Sequence, residues 1–149
     1  MPLVRTRSAV LNVLVGDGLM IAVSGWLLRR RAEDAIVRPD RGLHDALLLS
    51  LVAVAVASYV MRRRWTGRPS PAASDRRDAR FFWSHVGAAG LAALGIPLGL
   101  AYGWWVDPRL EGVIPFWVVP MALGFLALPR RGELEELDTS APDSGASST

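Results

Sequence analysis

Hydrophobic positions along this chain fall in blocks rather than stripes. Four apolar segments, Ser8 to Leu28, Leu43 to Met61, Phe81 to Val106 and Leu110 to Leu128, run for 21, 19, 26 and 19 residues. They contain three charged residues, Asp17, Asp45 and Glu111; the other 28 of the chain's 31 charges occupy the remaining 64 residues. A helix on the surface of a water-soluble domain mixes polar and apolar side chains within every turn. Leu47 to Ala57 instead reads LLLSLVAVAVA, with one hydroxyl as its only polar group. At about 1.5 Å per residue, about 20 helical residues cover the roughly 30 Å hydrocarbon core of a bilayer. The pattern predicts an all-α integral membrane protein, a bundle of four transmembrane helices over 8–28, 43–61, 81–106 and 110–128 within a domain of residues 1–131.

Prolines modify two of these spans. Pro97 predicts a kink in the long third block. Pro115 and Pro120 interrupt the fourth, which counts only 16 residues from Val113 and reads as a kinked or shallow span stopped by Pro129. The first block starts too late and runs too long without an Ala-x-Ala exit for a cleaved signal peptide, so it is expected to stay as a helix. Residues 132–149 begin GELEELD and end SAPDSGASST, which predicts a disordered polar tail, acidic and then Ser-rich.

Basic residues stay on the cytoplasmic side of membrane spans. All 17 basic residues are Arg, and the five segments outside the spans hold two, five, seven, one and two of them. With both termini cytoplasmic, 11 lie inside and 6 outside, against the placement of Arg29, Arg30 and Arg31 on the outer side. The six tryptophans lie near block ends, where an amphipathic ring prefers the headgroup level. Arg62, Arg63, Arg64, Trp65, Trp83, Trp104 and Trp105 are the expected lipid headgroup anchors. The absence of Lys and Gln beside abundant Ala, Gly, Pro and Val suggests a GC-rich genome and a bacterial inner membrane. A pI near 10.5 here reflects anionic lipid and topology rather than nucleic acid.

Helices in lipid associate through close packing of small residues and through polar contacts. Gly95, Gly99 and Gly103 form a G-x-x-x-G-x-x-x-G stripe on the third span. Ala46, Ser50 and Ala57 give a weaker small face on the second, and Gly18 with Gly25 give one on the first. Such faces serve packing within the bundle or docking onto another membrane protein. Asp17, mid-span, needs a partner or a proton, since an ionised carboxylate at that depth costs about 3 kcal/mol on insertion scales. Ser24 shares its helical face. Asp17 reads either as a helix-pairing hydrogen bonder or as the site of a small proton-coupled transporter.

His44 and His85 are the only imidazoles and start different spans from opposite surfaces, so they cannot share one haem. His85, beside Phe81, Phe82 and Trp83, is the candidate single ligand for haem or a chlorophyll-type pigment; otherwise no cofactor is expected. With no Cys and no phosphate-binding loop, His-Glu-x-x-His, G-x-S-x-G or paired intramembrane carboxylates, the chain reads as neither an enzyme nor a transition-metal protein, and no soluble substrate is identified. In layout it resembles accessory subunits of bacterial respiratory or photosynthetic complexes, an analogy of architecture alone. The expected partners are the bilayer and other integral membrane subunits.

Overall fold

Why each helix starts and stops is visible in its end residues. The computed structural model describes residues 2–32, 40–66, 74–130 and 132, with side chains described for 3–32, 40–63, 78–130 and 132. Helix α1 (Pro2–Ala32) opens on a proline, whose missing N–H has no helical partner at that position. It closes on Arg29, Arg30 and Arg31, where positive charge meets the negative end of the helix dipole. Helix α2 (Arg41–Thr66) is capped by Asp40, whose Oδ1 accepts the N–H groups of Gly42 at 2.9 Å and Leu43 at 3.4 Å. Helices α3 (Ser74–Ala93) and α4 (Gly95–Trp105) follow one another with a single intervening residue, Leu94. Helix α5 (Leu110–Leu126) completes the bundle, and no strand occurs among the described residues.

The Leu94 interruption has a local cause. Pro97 has no N–H to donate to the carbonyl four residues earlier, so the ladder loses a rung at Ala93. The backbone there tightens, Leu94 N–H donating to Leu91 O at 3.2 Å, and resumes weakly with Leu98 N–H to Leu94 O at 3.5 Å. In α5, by contrast, Pro115 and Pro120 sit inside one uninterrupted helix.

Named contacts give the directions of the helices. Ser58 and Met61 of α2 meet Ala88 and Gly87 of α3, while Leu51 meets Gly95 and His44 meets Tyr102, so α2 runs antiparallel to α3–α4. Phe116 and Val113 of α5 lie against Gly99 and Gly103, again antiparallel. Val10 and Leu14 of α1 cluster with Ala88 and Ala89, and Leu28 meets Gly103, so α1 runs parallel to α3–α4. Both α1 and α2 pack against α3, α4 and α5 and flank this central pair.

Two apolar clusters fill the interior. Leu28, Leu51, Tyr102, Val106, Val113 and Phe116 occupy the end that carries His44. Val10, Leu14, Ala88, Ala89 and Ala127 occupy the end that carries His85. The outside is apolar too: Leu49 is 71% exposed, and Val15, Leu19, Val52, Val56 and Val118 are exposed with it. Three helical rods, Leu3–Ala32, Arg41–Arg63 and Asp78–Trp105, are long and apolar enough to cross a membrane, whereas α5 is shorter.

Candidate functional site

The glycine stripe is spent inside the chain. A Cβ on Gly99 would stand 2.6 Å from Phe116 Cβ, and one on Gly103 would stand 2.5 Å from Leu28 Cδ1 and 3.1 Å from Val113 Cγ2. One on Gly95 would overlap the Pro120 ring. These three glycines therefore let α5 lie directly on α4. The other small faces divide. Gly25 faces the Trp117 indole, with 3.4 Å to an added Cβ, but Gly18 has nothing within 4 Å. On α2, Ala46 and Ala57 are exposed, and half-buried Ser50 donates its hydroxyl to Ala46 O of its own helix at 2.8 Å.

Asp17 and Ser24 both turn inward, 5% and 3% exposed. They lie on the same α1 seam as Val10, Leu14 and Leu28, between the two apolar clusters. On either side of Asp17, Leu14 meets Gly124 and Gly25 meets Trp117; between those two α5 positions, Pro120 meets Gly95 beside the Leu94 interruption. Asp17 makes no hydrogen bond or ion pair among the described residues.

His85 does not sit open at a surface. It is 0% exposed, Nδ1 donates to Phe81 O at 2.9 Å within its own helix, and the Phe81 ring lies 4.4 Å from it. Ser84 Oγ approaches the same nitrogen at 3.0 Å. A haem or chlorophyll-type ring would have to displace the packing around this imidazole to reach it. Helix packing encloses it because Ala88, Ala89 and Ala92 on the following turns are small enough for neighbouring helices to close over.

The tryptophans divide by exposure. Trp26, Trp83, Trp104 and Trp105 are exposed near the bundle ends. Trp117 is different: its indole reaches in toward Gly25 and Gly99, and its buried Nε1 has no partner among the described residues. Two glycines facing each other across α1 and α4 leave the room that draws it inward. Arg30 and Arg31 stack over Trp26 and Trp104, each guanidinium 4.1 Å from a ring centroid. Arg62 and Arg63 close α2 at the His85 end, while the side chains of Arg64 and Trp65, and the tail after 132, lie outside the described residues.

What sequence reasoning missed is a half-open pocket of about 450 Å³ at the His44 end. Asp40, Arg41, His44, Asp45, Tyr102 and Asp107 line it. His44 Nδ1 and the Tyr102 hydroxyl are 2.9 Å apart. Tyr102 is buried, with Phe116 at 5.0 Å between centroids and Gly112 leaving space for its edge. Asp107 Oδ1 accepts Arg109 N–H at 3.0 Å in the short turn into α5. The signal was available: His44 opens one apolar block and Tyr102 nears the end of the next, so an antiparallel pair brings both to the same end.

No family model, curated protein or solved structure matches this chain.

Proposed function

We propose that the protein is a small multi-pass subunit of a bacterial inner-membrane complex, working by packing against other membrane proteins rather than by catalysis. The observation that carries this reading is the uncovered face of α2. Ala46, Ala53 and Ala57 are exposed there, with half-buried Ser50 between them, on the same helix as exposed Leu49, Val52 and Val56. Small residues at this spacing let a second helix approach closely in lipid. The Gly95–Gly103 stripe is occupied by α5 and Leu28, so it is not the docking face. The respiratory or photosynthetic kind of complex is an analogy of layout.

In this proposal the His85 end, with Arg62 and Arg63, faces the cytoplasm and the His44 end faces outward. The chain has no Cys, so single introduced cysteines report orientation cleanly. Affinity purification in mild detergent tests the docking: the same membrane subunits are expected to co-purify with the wild type and to be lost from Ala46→Leu/Ala57→Leu. A monomer without partners contradicts it.

A second reading rests on Asp17, buried without a partner among the described residues beside the stretch where α3 gives way to α4. A proton-coupled transporter using that carboxyl loses pH-dependent flux in Asp17→Asn. Unchanged flux removes this reading.

A further inference from the structure

Three arginines close α1 at the end where topology gives no reason for them. Arg29, Arg30 and Arg31 lie at the His44 end, which the proposed orientation turns outward, whereas retention of basic residues acts on the cytoplasmic side. The helix dipole presents roughly half a negative charge there, too little to account for three guanidiniums. Arg29, Arg30 and Arg31 make no hydrogen bond or ion pair among the described residues. The next carboxylates along the chain, Glu33 and Asp34, lie outside the described residues.

Two of the three are held in place. Arg30 stacks on Trp26, one turn back on its own helix, and Arg31 stacks on Trp104 of α4, each guanidinium 4.1 Å from a ring centroid. Stacking uses the face of a guanidinium and leaves its N–H groups free to donate in the plane. Arg31 Nε is buried without a partner among the described residues, so the terminal nitrogens carry its outward hydrogen bonding. Arg30, Trp26, Trp104 and Trp105 are exposed. Toward mid-span the same face of α1 continues as Val23, Leu19 and Val15, all more than half exposed, which share a side with Trp26 and Arg30 at three- and four-residue spacing. Apolar strip, aromatic ring and fixed guanidinium thus follow in the order of a phospholipid's acyl chain, interfacial glycerol and phosphate.

We propose that this face of α1, with Trp104 beside it, binds an anionic phospholipid. Its phosphate accepts charge-assisted hydrogen bonds from Arg30 and Arg31, and an acyl chain runs along Val23, Leu19 and Val15. A zwitterionic lipid offers the same phosphate but brings its own cation toward three guanidiniums, so the anionic headgroup is preferred. The site rests on the reading of the chain as a membrane protein and is independent of the docking face of α2.

The test is native mass spectrometry of the full chain in neutral detergent, titrated with phosphatidylglycerol, with phosphatidylcholine of the same acyl chains, and with inorganic phosphate. Phosphatidylglycerol is expected to be held at least about tenfold more tightly than phosphatidylcholine, a difference of about 1.4 kcal/mol, and inorganic phosphate not to compete. Arg30→Gln/Arg31→Gln is expected to remove that preference. Arg30→Lys/Arg31→Lys, which keeps the charge but loses the planar fork, is expected to reduce it severalfold. Arg41→Gln/Arg109→Gln, which removes the same charge from the same end, is expected to leave most of it. Equal retention of the two lipids, as guanidiniums neutralised by Glu33 and Asp34 would give, overturns the proposal. So does displacement by inorganic phosphate, an undiminished preference in either Arg30/Arg31 variant, or equal loss in Arg41→Gln/Arg109→Gln. A protein that stays in carbonate-washed membranes yet shows no lipid preference loses this site and keeps the membrane reading.

Discussion

At the scale of single residues, the glycines separate packing from composition. Gly99 lies under Phe116, and Gly18 opens onto empty space. Gly99→Ala is expected to destabilise the bundle by about 1–3 kcal/mol, as overpacking does. Gly18→Ala is expected to stabilise it by up to about 1 kcal/mol, because alanine is the better helix former. Reversible unfolding in mixed micelles measures both, and equal effects would contradict the assignment of faces. Ser58 gives a second residue-scale outcome. Its hydroxyl donates to Ala88 O across the α2–α3 contact at 2.8 Å, so Ser58→Ala is expected to lose about 0.5–1.5 kcal/mol in the same assay. The sequence displays the glycine stripe and the inward seam of Asp17 and Ser24, because spacing alone puts residues on one face. It does not display which neighbour covers that face. Nor does it display the His44–Tyr102 bond, whose partners are 58 residues apart.

At the scale of elements, apolarity and helicity prove to be different properties. The block at 8–28 lies within a helix that starts at Pro2, and the block beginning at Phe81 opens inside one that starts at Ser74. Arginine and alanine are good helix formers, so helices continue past the apolar stretch that a bilayer would solvate. Block boundaries mark the preferred solvent and leave the ends of the rods unmarked. Prolines show the same limit. All three in the third and fourth blocks lack a donor, yet α5 continues through Pro115 and Pro120 while the ladder lapses at Leu94 ahead of Pro97. Pro97→Ala restores the N–H that the Ala93 carbonyl lacks. Hydrogen exchange across 94–98 is expected to slow in that variant by about tenfold or more, as one hydrogen bond worth about 1.4 kcal/mol would give. Unchanged exchange would place the cause of the interruption elsewhere.

For the whole molecule, the decisive feature is an outer surface as apolar as the interior. Water would leave Leu49, Val52, Val56, Leu19 and Val118 uncompensated. Lipid or a neighbouring helix solvates them without penalty. Replacing exposed Ala46 and Ala57 with leucine adds side chains to a face with no cover in the chain, so the isolated bundle is expected to keep its melting temperature while losing its partners. A fall of more than a few degrees would show that this face is needed for folding. The helical architecture was the most legible part of the sequence, since long uncharged blocks predict long apolar helices and three such rods are present among the described residues. The pocket at the His44 end was less legible, since it is assembled from the start of α2 and the end of α4, which meet only after folding. Alkaline carbonate extraction of membranes from cells expressing the full chain tests the central claim most directly. The protein is expected to remain in the sedimented membranes and to be released only by detergent. Recovery in the carbonate supernatant would contradict a membrane-spanning bundle.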